Sequence, residues 1–90
     1  MKSFRIVVSG RVQGVCFRAF TLDLAEYLGI YGSVRNLPDG TVLIHARGDE
    51  DAMDRFLKGV SMGPSYAAVA DVRVKETVLK TDLTDFSIGF

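Results

Sequence analysis

Residues 4–18 read Phe4-Arg5-Ile6-Val7-Val8-Ser9-Gly10-Arg11-Val12-Gln13-Gly14-Val15-Cys16-Phe17-Arg18, and the hydrophobic period changes within them. Phe4, Ile6 and Val8 alternate with Arg5, Val7 and Ser9, the two-residue period of a strand with one buried face. Gly10 ends that alternation, and with Gly14 it makes residues 10–16 a loop. Beyond the loop Phe17, Phe20, Leu24 and Leu28 recur at helical spacing, with Gly29 placed to take the left-handed conformation that closes a helix over 17–28. Strand, glycine loop and helix in succession are the first half of a βαβ unit.

The remaining chain repeats the pattern. Residues 30–36 are extended, Leu37-Pro38-Asp39-Gly40 is a turn because proline presets φ and glycine accepts a positive one, and residues 41–47 alternate again to complete a hairpin. Asp49, Glu50, Asp51 and Asp54 crowd the start of a second helix, where carboxylates complement the positive end of the dipole; three consecutive acids do not converge on a metal there. Met53, Phe56, Leu57 and Val60 form its inner stripe, and Gly59 followed by Ser61-Met62-Gly63-Pro64-Ser65 is expected to break it. Ala70, Val72 and Val74 alternate with Asp71, Arg73 and Lys75 as a fourth strand, and Phe86-Ser87-Ile88 adds a short edge strand. The order predicts an α+β fold of the ferredoxin-like, split βαβ type (βαββαβ): an antiparallel sheet with two helices on one face.

Composition bounds the function. Ninety residues, 48% apolar and 24% charged, make one domain spanning residues 1–90. Eleven basic residues balance eleven acidic ones, which argues against nucleic acid as a partner. One cysteine and one histidine leave no internal disulfide and no cysteine-built zinc site, so neither a metal nor another cofactor is expected. No stretch is apolar enough to span a membrane, and the N-terminal segment lacks the apolar region of a signal peptide, so the expectation is a cytoplasmic monomer without a membrane partner. Charge is unevenly placed: residues 1–48 carry six basic and three acidic groups, residues 49–90 five and eight. An anion site therefore belongs in the first half.

The loop over 10–16 runs into a helix N-terminus, where consecutive backbone N–H groups form a concave nest for an anion. Arg18 follows in the first turn, where its guanidinium can grip two oxygens of a phosphate or carboxylate. A plain strand-to-helix turn carrying a surface arginine is the other reading of the same spacing.

The stretch Val8-Ser9-Gly10-Arg11-Val12-Gln13-Gly14-Val15-Cys16-Phe17-Arg18 resembles, position for position, the phosphate-binding signature of the acylphosphatases. Gly32-Ser33-Val34-Arg35-Asn36, three further residues, then Gly40-Thr41-Val42 with Gly48 beyond, resembles that family's asparagine motif. Gly63-Pro64 with Ala67 and Val69, and the terminal Phe86-Ser87-Ile88, extend the resemblance over the whole chain. It implies hydrolysis of the carboxyl-phosphate mixed anhydride of a small-molecule acyl phosphate to carboxylate and inorganic phosphate, without a metal. Arg18 would bind the phosphoryl group, the amides of Val12, Gln13, Gly14, Val15, Cys16 and Phe17 would cradle its oxygens, and Asn36 would orient the attacking water. Ser33 stands where the family commonly has an aromatic residue, and Leu43 where an acid is common.

Other readings of these residues are blander. Cys16 is two positions before Arg18, which is the wrong spacing for a cysteine phosphatase loop, and reads as a small, partly buried residue. His45 falls on the face opposite Val42, Ile44 and Ala46 and reads as a surface histidine. Asn36 by itself is a turn former, Arg11 and Arg35 are solvated charges, and Tyr66 lies either against an acyl group or on the core. Among rival functions, an RNA reader of the same strand order would need aromatic residues in 41–47, and they are missing. A non-catalytic anion or metabolite-binding module would use Arg18 and the amides without Asn36. A domain within a larger protein is a third alternative.

Overall fold

The computed structural model describes residues 1–78 and 85–89. β1 (Lys2–Arg11), β3 (Val42–Gly48), β2 (Tyr31–Asn36) and β4 (Ala68–Glu76) join β5 (Phe86–Ile88) in one sheet of order β4-β1-β3-β2-β5, covered on one face by α1 (Phe17–Leu28) and α2 (Glu50–Met62). β1 lies antiparallel between β3 and β4, and β2 is antiparallel to β3, as the split βαβ order requires. β5 departs from the antiparallel expectation, pairing in parallel with β2. No hairpin dictates its direction, because the chain leaves β4 at one edge of the sheet and returns at the other.

The core forms where alternate strand residues meet the two helices. Ile6, Val8, Val34, Val42, Ile44 and Ala46 point inward and pack under Phe17, Met53, Phe56 and Val60. Each fully buried side chain of this size contributes about 1.5–3 kcal/mol by leaving water. Phe56 also meets Phe86 of β5 edge-on at 6.2 Å between ring centroids, which ties the short last strand to α2.

The buried line of α1 is rotated from the expected one. It runs Phe17, Thr21, Ala25, while Phe20, Leu24 and Leu28 flank it half-buried. Small residues at the centre let the helix approach the sheet, and the Thr21 hydroxyl satisfies itself by donating to the Phe17 carbonyl at 2.9 Å. Leu24 instead faces α2, which explains why α2 runs unbroken through Gly59 to Met62. A Cβ at position 59 would stand 2.5 Å from Leu24 Cδ2, so this glycine marks a close helix–helix contact and not a break.

β1 and β4 extend beyond the expected ends because a bulge lets them. Ser9 pairs with Asp71 but Gly10 with Val69, which leaves Ala70 as the extra residue on β4. At the bulge β4 closes on Gly10, whose φ is 116°: a Cβ there would meet the Ala68 carbonyl oxygen at 2.3 Å and the Ala70 nitrogen at 2.6 Å. Gly10→Ala is expected to lower stability by about 2–4 kcal/mol. Gly59→Ala, which meets only the end of a flexible side chain at a helical position, should stay within about 1 kcal/mol of wild type. Urea unfolding of the two variants checks this, and equal losses would contradict it.

Candidate functional site

The two helices start in opposite ways. α2 follows the usual rule, with Glu50 and Asp51 in its first turn against the positive end of the dipole. α1 has no acidic residue in its first turn and no side chain capping its first amides. Its N-cap is Cys16, held at φ 62° in the left-handed region, and Gly14 two residues earlier has φ 72°. Left-handed positions at this spacing turn successive N–H groups toward one side of the loop, and the first-turn amides of α1 have no acceptor within the helix. A concave, positively polarised surface results.

That surface opens into a cavity of about 450 Å³ lined by Val12, Gly14, Cys16, Phe17, Arg18, Ala19, Asn36 and Ile88. The Arg18 guanidinium is half-buried and donates from Nη1 to the Gly89 carbonyl at 3.2 Å, so the segment after β5 steadies it. Asn36, at the end of β2, contributes a buried Oδ1 that has no hydrogen-bond partner among the described residues. Leaving such an acceptor unpaired costs about 1–3 kcal/mol. An unpaired acceptor beside a guanidinium and a set of bare amides suits a bound anion accompanied by a water. A larger depression, about 810 Å³, lies against the start of α2, but Asp49, Glu50 and Asp51 outweigh Arg55 in its lining and disfavour an anion there. No group of three or more metal-ligating side chains converges among the described residues.

Comparison with known proteins points the same way. The acylphosphatase family model matches residues 4–88. The chain is 49% identical over 90 residues to the acylphosphatase of Thermotoga maritima, covering all of this chain and 99% of that one. Its backbone superposes on the crystal structure of acylphosphatase from Bacillus subtilis with a TM-score of 0.95 at 39% identity, over the full length of both. The chain belongs to the acylphosphatase family. Hydrolysis of acyl phosphates is the activity this homology supports. The same fold also serves as part of a larger protein: HypF from T. kodakarensis matches all of this chain at 28% identity and a TM-score of 0.88, with 12% of its own length.

Within this acylphosphatase fold Val12, Gly14, Cys16, Phe17, Arg18 and Asn36 all border the cavity, whereas Gln13 and Val15 do not. Val15 is buried in the core. Gln13 braces the loop instead, since its Nε2 donates at 2.8 Å to both the Leu37 and the Thr41 carbonyls and so ties the loop to the β2–β3 turn just beyond Asn36. The turn is itself cross-braced, since the Thr41 hydroxyl and amide both donate to Asp39 Oδ1, and they hold that carboxyl below its ordinary pKa. Ile88, Ala19 and the Gly89 carbonyl were not among the expected site residues. Ile88 reaches the cavity only because β5 runs parallel beside β2, a pairing that no local pattern announces.

The blander readings divide. Cys16 is exposed, not partly buried, because the left-handed turn lifts it out of the core. Tyr66 is 79% exposed and neither borders the cavity nor lies on the core. Ser33 and Leu43 belong to the sheet face away from the helices, so the departures from the family pattern lie outside the cavity lining. Asp49 occupies the N-cap of α2 without a side-chain cap bond.

Two substitutions test this construction. Cys16→Gly should raise stability by about 0.5–1 kcal/mol by relieving the left-handed conformation, read as a higher thermal midpoint. Gln13→Leu removes both ties while keeping bulk, and is expected to cost about 1–2 kcal/mol of stability. By loosening the loop against Asn36 it should also lower kcat for an acyl phosphate by about 10- to 100-fold with little change in phosphate affinity. An unchanged kcat would show that the ties serve stability alone.

Proposed function

We propose that Arg18 and the amides of residues 12–17 hold the phosphoryl group of an acyl phosphate while Asn36 orients the water that attacks it. The water oxygen forms the new bond to phosphorus as the bond to the acyl oxygen breaks, the electron pair leaving with the carboxylate. A carboxylate is a good leaving group, so the step asks for little general-acid help. The water proton passes to an oxygen of the phosphoryl group itself, in keeping with a cavity lining that holds no histidine or carboxylate among the described residues. Charge on the equatorial oxygens is met by a guanidinium fork and by fixed amide dipoles that need not reorganise during the reaction.

Asn36 Oδ1, buried with no partner among the described residues, carries this reading. An anion-binding module is complete with Arg18 and the amides, whereas hydrolysis also requires an acceptor to fix the water's direction.

Benzoyl phosphate hydrolysis in EDTA, measured beside inorganic phosphate binding, tests both roles. Arg18→Ala and Asn36→Ala should each lose about 10²-fold or more in kcat. Phosphate affinity should fall only in Arg18→Ala. A wild-type protein that binds phosphate and leaves the anhydride intact would make the chain a binding module.

A further inference from the structure

The sheet face that carries no helix is where the cations of this neutral chain gather. β1 places Arg5 there, β2 Arg35, β3 Arg47, and β4 Arg73 and Lys75, with a single acid, Asp71, among the described residues of these strands on that face. Asp71 pairs with Arg73 at 3.2 Å. The register sets Lys75, Arg5, His45 and Ser33 side by side across four strands, and Arg73, Val7, Leu43 and Arg35 in the next row. The helices lean the other way: on α1 and α2 the acids Asp23, Glu26, Glu50, Asp51 and Asp54 outnumber Arg18, Arg55 and Lys58.

Edge protection explains part of this. β4 is an outer strand, and charges with a bulge discourage pairing with another chain. It does not explain Arg5 and Arg35, which are exposed on strands paired on both sides. Gathering cations there costs self-repulsion, and His45 registers it: burial first, then the charges of Arg5 and Arg35, hold its imidazole below the ordinary pKa.

We propose that this open face docks an acidic polypeptide segment in extended form, its carboxylates at alternate positions. Side chains two residues apart on an extended chain are about 7 Å apart, the same repeat that separates the cation rows of the sheet. Arginine forks are suited to carboxylates. The face lacks what other polyanions need. Tyr31 is its one described aromatic, too few to stack bases, and its apolar residues Val7 and Leu43 are sunk between longer side chains, Leu43 to 4% exposure, with nothing to insert into a bilayer. The docking is independent of hydrolysis.

The test uses the whole chain and a fluorescein-labelled peptide of alternating glutamate and serine, about twelve residues long, enough to run the length of the strands. Anisotropy should report binding at about 50 mM salt that weakens strongly at about 300 mM. Arg5→Glu with Lys75→Glu should weaken it about tenfold or more, as should the milder Arg5→Gln with Lys75→Gln to a lesser degree, each checked for folding by circular dichroism. Arg55→Glu with Lys58→Glu on α2, an equal change in net charge, should leave it unchanged. Bound carboxylates offset Arg5 and Arg35, and to a lesser extent Arg47, Arg73 and Lys75, so the His45 pKa followed by NMR should rise when the peptide is added. The proposal is overturned by no binding at low salt, by equal weakening in the α2 variant, or by an unmoved His45. Tighter binding to an oligothymidylate of equal charge or to phosphatidylserine vesicles would assign the face to a different partner and overturn it as well.

Discussion

The cavity end of the molecule depends on α1 beginning with no side chain of its own over its first amides. Most helices place a serine, threonine or aspartate over those donors. Here the N-cap is Cys16, a poor acceptor in a left-handed conformation that disfavours any side chain. The folded chain thus leaves the first amides of α1 without a side-chain cap and accepts backbone strain at one place, near Arg18 in sequence. Each feature lowers stability when viewed alone, which fits the proposed use of this end of the molecule for holding an anion.

On the proposed reading, the loop serves hydrolysis only if Asn36 is fixed relative to it. The cradle belongs to the β1–α1 loop and Asn36 to β2, with β3 between those strands in the sheet. Hydrogen bonds within the sheet set the distance between β1 and β2, and Gln13 sets the position of the loop above them. The bulge at Ala70 belongs to the same framework, because it lets β4 close on Gly10 where β1 turns into the loop. Fold and site are therefore continuous: the bonds that position the chemistry are ordinary ladder bonds and one carboxamide.

The sequence revealed most of this where the signal was local. The limits of α1 follow from the Phe17 to Leu28 spacing and Gly29, and the turn at 37–40 from Pro38 and Gly40. What it concealed was tertiary. Gly59 looks like a breaker until Leu24 of the other helix is seen against it. Thr21 and Ala25 do not read as the buried line of a helix, because smallness at a close approach carries no hydrophobic signal. β5 shows its alternation but not its direction, so the arrival of Ile88 at the cavity was invisible. The motif marked Gln13 as part of the loop, yet only the fold separates its side chain, which ties the loop to the hairpin, from the residues bordering the cavity.

Net charge was the least informative quantity of all. A total of zero suggests an electrically bland surface, but strand alternation sorts residues by face, and the sums on the two sides need not be alike. Arg5, Arg35, Arg73 and Lys75 fall on the open face because the positions between them are committed to the core, and the carboxylates of α1 and α2 fall on the other side for the same reason. The hydrophobic pattern fixes which positions face outward on each side, and the residue types at those positions then set the sign. His45 lies amid the cations and reports their field through a depressed basicity. The cavity at the end of the sheet, proposed to hold an anion on backbone donors, and the cationic side chains across its open face are thus distinct features of one fold.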